Sequence, residues 1–175
     1  NNIFREGVTV HRGTIQDKGK TLIGSRNLLM AYAHVAHDCV LGSENVFANN
    51  AGIAGHVSIG DNVTIGAFTT IHQFCQMGDY SFAGMNSSIN MDVPAYIKVA
   101  SNPARVIGLN SVGMQRGGID EETIKNLKKA YKLIYRKGMN LKDALKEINS
   151  MQNSKTKEIQ KFVNSIRSSK RGILR

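Results

Sequence analysis

The sequence has few residues of several kinds, and each shortage excludes a class of protein. Among 175 residues there are two cysteines, two prolines and no tryptophan. Two cysteines, Cys39 and Cys75, are too few for a disulfide framework and fit a reducing compartment. No run approaches the roughly 18 consecutive apolar residues of a membrane-spanning helix, yet 41% of residues are hydrophobic. We therefore expect a folded cytoplasmic protein without a membrane span, and the first residue, Asn1, predicts that the chain is a piece of a longer one.

Charge is also scarce in the first part of the chain and abundant in the second. Residues 1–114 carry seven basic and seven acidic side chains, whereas residues 115–175 carry sixteen basic and six acidic ones. The second part therefore contributes the whole net charge of +10, which predicts an acidic partner. Aromatic residues make up only 6% and no nucleic-acid-binding motif is present, so we expect no nucleic acid.

A six-residue period runs without a gap from Ile23 to Pro94. The fifth position of each hexad is small in ten of twelve repeats, the exceptions being Asn27 and Asn45, and the second position is often glycine. Neither a helix nor an alternating strand has this period, whereas hexapeptide repeats of a parallel β-helix do. The first position is always apolar: Ile23, Leu29, Val35, Leu41, Phe47, Ile53, Ile59, Ile65, Ile71, Met77, Ala83 and Ile89.

The period predicts a mainly β fold, a left-handed parallel β-helix over residues 1–94. Three hexads close one triangular coil of eighteen residues, with the first and fifth positions pointing inward and coils stacked about 4.8 Å apart. Glycine at the corners is expected to supply the positive φ of a tight turn. Upstream, hexads starting at Ile3 and Thr9 keep the period. An eight-residue segment then carries two extra residues, which predicts a small loop around Lys18–Lys20.

The pattern changes after Pro94. Residues 95–119 are interpreted as a connector, and residues 120–175 as a basic α-helical domain of three amphipathic helices. Asp120 is predicted to cap the first of them and Asn140 the second. The third is indicated by helical spacing of Ile159, Phe162, Val163 and Ile166.

The histidines concentrate on one wall of this predicted solenoid. His37, His56 and His72 occupy hexads three apart, which stack on the same face, and His34 precedes the corner that leads to His37. His37 is followed by Asp38, a combination suited to general base catalysis. A solvated polar ladder and a zinc site remain open as alternatives. All five histidines lie in the repeats: His11, His34, His37, His56 and His72.

The sequence gives little support to nucleophilic catalysis. Cys39 and Cys75 occupy inward fifth positions and are interpreted as small core residues. No G-x-S-x-G elbow appears. Hexapeptide repeats are associated with acyl transfer, an analogy at the level of the fold.

Several motifs together resemble one enzyme family. They are HRGT at 11–14, NLLMAYAHVAHDCVLG at 27–42, ANNAGIAGHVSIGD at 48–61 and AFTTIHQFCQMG at 67–78. With KNLKKAYKLIYRKG at 125–138 and RGILR at 171–175, the whole chain is similar to the acyl-carrier-protein–UDP-N-acetylglucosamine O-acyltransferases that open lipid A biosynthesis. The family's first coils have no counterpart in this chain.

The resemblance implies roles for specific residues. His37 would be the general base, Asp38 would hold its imidazole, and the Gly55 N–H would meet the oxyanion. Met85 would limit the acyl chain, because glycine at this position leaves the acyl groove deep and a bulkier residue shortens it. The sugar and nucleotide would bind in a cleft lined by His34, His56, His72, Gln73, Asn110 and Arg116.

The resemblance also implies partners. A 3-hydroxyacyl chain would pass directly from acyl carrier protein to the 3-hydroxyl of UDP-N-acetylglucosamine, without a covalent acyl-enzyme, a metal or a cofactor. The active form would be a homotrimer with sites between neighbouring solenoids. Acyl carrier protein would dock on the basic helices.

One stretch departs from the family, and three alternatives stay open. Where the family reads N-x-E-G-x-x-R-R, this chain has Asn110, Val112, Gly113, Arg116 and Gly117. The alternatives are the related UDP-sugar N-acyltransferase of the same pathway, transfer to a 3-amino analogue of the sugar, and a zinc lyase of the γ-carbonic anhydrase type.

Overall fold

A computed structural model of the chain describes residues 1–17 and 19–175. In this part of the chain, fourteen two-residue strands come first, followed by two longer strands and four helices. The two-residue strands, β1 to β14 in order, are Ile3–Phe4, Thr9–Val10, Leu22–Ile23, Leu28–Leu29, His34–Val35, Val40–Leu41, Val46–Phe47, Gly52–Ile53, Ser58–Ile59, Thr64–Ile65, Thr70–Ile71, Gln76–Met77, Phe82–Ala83 and Ser88–Ile89.

The strands form the predicted parallel β-helix. Each pairs in parallel with strands of the neighbouring coils, and partners such as Leu28 and Val46 lie eighteen residues apart. Successive strands enter three different sheets in turn, so one coil contributes one strand to each wall. First-position residues such as Leu29 and Phe47 and fifth-position residues such as Ala33 are fully buried. The core is therefore the inside of the triangular coil, as the period predicts.

The two asparagines at the fifth position stack as a hydrogen-bonded ladder. The side-chain oxygen of Asn27 accepts from the N–H of Asn45 at 2.9 Å, and that of Asn45 accepts from the N–H of Val63 at 2.7 Å. Both asparagines are buried. Stacking thus provides donors for both side-chain oxygens, which would otherwise be costly to bury, whereas the Asn45 amide nitrogen is buried without a partner among the described residues.

The expectation that glycine supplies the tight turns is wrong. Positive φ values occur at the fourth position of the hexads in residues other than glycine, such as Tyr32, Asp38 and His56. Glycines at the second position are required for a different reason. A Cβ on Gly24 would lie 2.5 Å from the carbonyl oxygen of Gly42. The coils stack too closely there for a side chain.

The loop between β2 and β3 is longer than expected. The register pairs Thr9 with His34 across 25 residues, where regular coils repeat every eighteen. The loop therefore holds seven extra residues, and the predicted hexad frame upstream of it is shifted by one. Lys18, at the centre of the predicted loop, lies outside the described residues.

The region interpreted as a connector has its own structure. Strand β15 (Ile97–Ala100) pairs in parallel with β13 and continues one wall of the solenoid. Strand β16 (Arg105–Leu109) turns back against it in an antiparallel hairpin, and helix α1 (Ser111–Arg116) follows. The hairpin shields the end of that wall, which the loss of the hexad period did not reveal.

Three helices close the described chain, of which the first and third carry a net positive charge: α2 (Glu121–Tyr135), α3 (Leu141–Ser150) and α4 (Lys157–Arg167). Asp120 and Asn140 cap α2 and α3 as predicted, through Thr123 N–H and Asp143 N–H. Lys161 of α4 pairs with Asp79, which ties the helices to the solenoid. Among the described helices, none has both the length and the apolar character needed to cross a bilayer.

Candidate active site at the His37 corner

The candidate site lies at the corner where the chain turns from β5 into β6. Asp38 adopts a left-handed conformation there, with φ at 58°. The next coil places His56 over this turn, where its N–H donates to the carbonyl oxygen of His37 at 3.0 Å. The coil after that adds Phe74, whose N–H donates to Gly55 at 3.2 Å. Three successive coils therefore build one site.

His37 and Asp38 form a carboxylate–imidazole pair. The distance from His37 Nδ1 to Asp38 Oδ2 is 3.0 Å, and the Asp38 side chain is fully buried while that of His37 is 41% exposed. An ionised carboxylate only accepts hydrogen bonds, so Nδ1 carries the hydrogen. Nε2 is left with its lone pair, the form that a general base requires.

His37 and Thr14 together keep Asp38 ionised. The Thr14 N–H lies 3.1 and 3.0 Å from the two carboxylate oxygens, and the Thr14 hydroxyl donates to Oδ2 at 2.8 Å. Burial by itself would raise the pKa of Asp38, but the hydrogen bonds from His37 and Thr14 outweigh it and hold the pKa at about 2. The carboxylate is therefore charged across the whole neutral range.

Gly55 lies directly beneath the imidazole of His37. A Cβ at this position would be 2.6 Å from Cε1 and 2.7 Å from Nε2 of His37. Among the described residues, the Gly55 N–H donates to no acceptor. A free N–H beside the base is what stabilisation of a developing oxyanion needs.

Gly55→Ala is expected to lower kcat by about 100-fold, because the new methyl group displaces the imidazole and a 1 Å misplacement can cost this much. The ring is the mobile end of its side chain, so it should move while the backbone stays, leaving the melting temperature nearly unchanged. Steady-state kinetics and thermal unfolding measure the two effects.

Gly52→Ala is the matched control for that substitution. Gly52 lies in the same coil, and the nearest atom to a Cβ there is His34 Cβ at 4.0 Å, an ordinary contact. Equal activity of the two alanine variants would show that the space above Gly55 has no part in holding the base.

His56 is held in the same manner as His37. Its Nδ1 lies 2.8 Å from Asp17 Oδ2. Its ring stacks on Phe74 with centroids 4.6 Å apart and meets the His37 ring edge-on at 5.1 Å. The corner therefore contains two imidazoles, each with its own carboxylate.

The other predicted histidines lie outside this contact network. His34 Nδ1 pairs with the Thr9 hydroxyl at 2.7 Å, and its ring meets His11 at 4.8 Å. Burial, and then the neighbouring His11, lower the pKa of His34. His72 and Gln73 are exposed one coil further along, where His72 Nδ1 lies 3.1 Å from the Gln73 carbonyl oxygen.

Asn110 and Arg116, at the two ends of α1, were predicted to line the substrate cleft, and Asn110 has a structural role in this helix. The Asn110 amide donates to the Tyr80 carbonyl at 2.8 Å and accepts from the Gly113 N–H at 3.1 Å, so it is the N-cap of α1. Arg116 is exposed in the last turn of the same helix. A side chain at Gly117 would overlap the Tyr80 ring, which explains glycine at this departure from the family pattern.

An open cleft of about 960 Å³ adjoins the exposed side of His37. Three residues that contact the histidines or Asp38 at this corner were not predicted from the sequence: Thr14, Asp17 and Phe74. The HRGT motif and the extra length after it marked the segment that carries the first two. The cleft is lined by Val10, His11, Arg12, Gly13, Thr14, Ile15, Gly19 and His37.

The same corner was also considered as a metal site. Ligand atoms of His37, Asp38 and His56 lie within 4.8 Å of one another, a spacing open to a metal ion. However, Asp38 already accepts from Thr14 and His37, and one nitrogen of each imidazole faces a carboxylate.

Burial raises the pKa of the Cys75 thiol to about 11, so this thiol stays protonated. The arrangement favours acid–base chemistry.

Comparisons with known proteins agree on one family. The model for "Udp N-acetylglucosamine O-acyltransferase; Domain 2" matches residues 92–174, and bacterial transferase hexapeptide repeats match residues 20–55 and 44–73. The acyl-[acyl-carrier-protein]–UDP-N-acetylglucosamine O-acyltransferase of Ectopseudomonas mendocina is 46% identical over 174 residues, which are 99% of this chain and 67% of that protein.

Solved structures give the same answer. LpxA from Acinetobacter baumannii is 47% identical with a TM-score of 0.95, over 100% of this chain and 68% of that one. UDP-N-acetylglucosamine O-acyltransferase (LpxA) from Moraxella catarrhalis is 49% identical with a TM-score of 0.95, over 99% of this chain and 67% of that one. The chain thus spans about two thirds of the length of these relatives.

Proposed function

This chain belongs to the acyl-[acyl-carrier-protein]–UDP-N-acetylglucosamine O-acyltransferase family, and we propose that the His37 corner is its catalytic centre. The protein is an O-acyltransferase of lipid A biosynthesis that uses an acyl carrier protein thioester. The observation that carries the assignment of the centre is the His37 imidazole, held by a buried, ionised Asp38 with Nε2 free. The finer proposal is that a 3-hydroxyacyl chain passes to the sugar 3-hydroxyl.

The proposed reaction has two steps. His37 Nε2 takes the proton of the sugar hydroxyl as its oxygen attacks the thioester carbonyl, and the resulting oxyanion accepts a hydrogen bond from the Gly55 N–H. The tetrahedral intermediate then expels the carrier thiolate, which takes the proton back from the imidazolium. The C–O bond of the ester replaces the C–S bond of the thioester, and no cofactor is needed.

Direct transfer fits the state of the cysteines. Cys39 and Cys75 are fully buried inside the coil, and the raised pKa of Cys75 leaves it without a nucleophilic thiolate. Two buried thiols also suit a reducing compartment, which supports a cytoplasmic location.

The nucleotide sugar is proposed to bind beside the same corner. His34, His56, His72, Gln73 and Arg116 would contribute polar groups to it, whereas the amide of Asn110 is engaged in capping α1. Because the cleft next to His37 is open on one side, a neighbouring subunit has room to complete it.

A homotrimer is the proposed active form. Large apolar side chains stand out from the corners of the solenoid, with Tyr32 65%, Phe68 60% and Phe74 49% exposed. A large apolar side chain exposed beside a site favours a protein contact there. Phe74 stacks on His56, so a contact there would reach the catalytic corner.

The related alternatives have less support. Relatives at 43–46% identity are named O-acyltransferases, which argues against the N-acyltransferase of the same pathway. The zinc lyase would need a third ligand beside His37 and His56, whereas the nearby Asp38 carboxylate already accepts from Thr14 and His37. Incubation with UDP-N-acetylglucosamine and 3-hydroxyacyl carrier protein tests the proposal, since acylated nucleotide should accumulate. Reaction only with a 3-amino analogue of the sugar would contradict the proposed acceptor.

Acyl carrier protein is proposed to dock on α2. Lys128, Lys129 and Lys132 are exposed along this helix, Arg136 follows at its end, and no carboxylate in the described chain forms an ion pair with them. An unpaired basic face is complementary to an acidic protein.

Changing these four residues together to glutamine should raise the KM for acyl carrier protein and flatten its salt dependence. The KM for the nucleotide sugar should barely change. Initial rates at several salt concentrations, with each substrate varied in turn, measure both effects.

A quadruple variant with the same change in net charge is the control. It replaces four exposed lysines elsewhere in the helical part, Lys142, Lys155, Lys157 and Lys170. An equal rise in KM for both substrates in the α2 variant, or the same behaviour of the control, would mean that the α2 face is not a docking surface.

A further inference from the structure

The insertion loop between β2 and β3, described for residues 13–17 and 19–21, contacts both imidazole–carboxylate pairs of the corner. Thr14 hydrogen-bonds Asp38, the partner of His37, and Asp17 hydrogen-bonds His56. Resting on the proposed function, we infer that this loop is a positioning element that sets the tautomers of the two histidines, His37 through Thr14 and His56 through Asp17. Both residues lie in the insertion, outside the repeating positions of the solenoid.

The loop is closed on itself at the residue that reaches Asp38. The Thr14 carbonyl oxygen accepts from the N–H of Asp17 at 3.3 Å and from that of Gly19 at 3.0 Å. The Thr21 hydroxyl ties its far end to the His11 carbonyl at 2.7 Å. Thr14 and Asp17 are thus linked by one short turn, so the two anchoring side chains belong to the same local structure.

Thr14 acts on His37 through the carboxylate. Its two donors and His37 Nδ1 share the oxygens of Asp38, and the side chain of Asp38 has no solvent exposure. The donors from Thr14 therefore fix the plane in which the carboxylate presents Oδ2 to the imidazole. Losing the hydroxyl leaves a buried acceptor short of a partner and free to turn. Groups that orient a functional imidazole in this way typically contribute about 10–100-fold.

Asp17 acts on His56 directly. Its carboxylate accepts at 2.8 Å, so Nδ1 of a neutral His56 carries the hydrogen and Nε2 is an acceptor. His56 should then receive a hydrogen bond from an O–H or N–H group of the substrate. This assigns His56 the chemistry of a hydrogen-bond acceptor, which its position in the sequence does not reveal.

Four single variants of the full chain test the inference. Thr14→Val removes the hydroxyl donor and Thr14→Ser restores it, while Asp17→Leu keeps a similar volume but offers His56 no acceptor. Thr21→Val is the matched control, because it removes a hydrogen bond of the same loop without touching either imidazole pair. Each is measured by steady-state kinetics and by ¹⁵N NMR of the histidine rings.

Each anchor should affect its own histidine. Thr14→Val should lower kcat by about 10–100-fold with little change in KM, and Thr14→Ser should recover most of the loss. Asp17→Leu should shift the His56 hydrogen from Nδ1 toward Nε2 in the NMR spectrum, because the acceptor at Nδ1 is lost, and raise the KM for the nucleotide sugar more than it lowers kcat. Thr21→Val should leave both kinetic parameters near their original values.

Other outcomes overturn the inference. If Thr14→Val keeps the same kcat as Thr21→Val, or if Thr14→Ser does not recover kcat, then Thr14 does not position His37. An unchanged His56 tautomer in Asp17→Leu would show that Asp17 does not set it. Asp17 is partly exposed, so this variant is expected to fold even if Thr14→Val does not. The NMR measurement needs no turnover, and it therefore remains decisive even if His37→Ala shows that the proposed function is wrong.

Discussion

Replacing His37 with alanine is expected to lower turnover by about 10²–10⁴-fold, the range that a general base contributes. The variant loses the only group that the proposed reaction uses to accept the hydroxyl proton. The Gly55 N–H and the binding groups stay in place, so the KM for the nucleotide sugar should change far less than kcat. Formation of acylated UDP-N-acetylglucosamine under saturating substrates measures the loss.

Two comparisons separate this effect from damage to the fold. The His37 side chain is 41% exposed, so its removal opens no buried cavity, and the melting temperature and oligomeric state should be retained. His56→Ala and His72→Ala should weaken substrate binding more than they slow the chemical step. A fall of less than tenfold in His37→Ala would contradict its role as the base.

Met85→Gly is expected to shift the preferred donor toward longer 3-hydroxyacyl chains. Met85 occupies an outward third position and is 71% exposed, an unusual place for a large apolar side chain unless something apolar packs on it. A methionine would close the far end of an acyl groove that glycine leaves open. Each methylene contact is worth ~0.8 kcal/mol, so three carbons correspond to roughly 50-fold in specificity.

A competition assay with carrier-bound chains of graded length measures this shift. Met85→Leu is the matched control, because it preserves the volume of the side chain and should keep the original preference. An unchanged preference in Met85→Gly, together with a lower melting temperature, would instead assign Met85 to packing against a helix or a neighbouring subunit.

The repeat region was predictable because each coil repeats the same local requirement. The large residue at the first position, such as Leu29 or Phe47, and the small residue at the fifth, such as Ala33, are buried as expected. The caps at Asp120 and Asn140 were predictable for a similar reason, since a cap depends on an N–H three residues away. Both the burial pattern of a hexad and a helix N-cap depend on residues no more than six positions apart.

Features that depend on how coils meet were not predictable in the same way. The second-position glycines were expected to form turns, but Gly24 is required by the carbonyl of Gly42 in the next coil. Strands β15 and β16 were interpreted as a connector, because their pairing depends on β13 rather than on a repeated pattern. Close backbone contacts and strand pairing between coils do not produce a periodic pattern that can be recognised in a single sequence.

The candidate site likewise contains features that follow from the repeat and features that do not. The sequence by itself determined the solenoid, the placement of the histidines on one wall and the neighbouring Asp38, because spacing alone brings residues of successive coils together. Only the tertiary structure decided that Thr14 reaches Asp38 and that Asp17 reaches His56, across 24 and 39 residues of chain. These contacts depend on the path of a loop that lies outside the period. The physical reason is that a repeat encodes the stacking of its own coils, whereas the hydrogen bonds of an insertion are settled only when it folds against them.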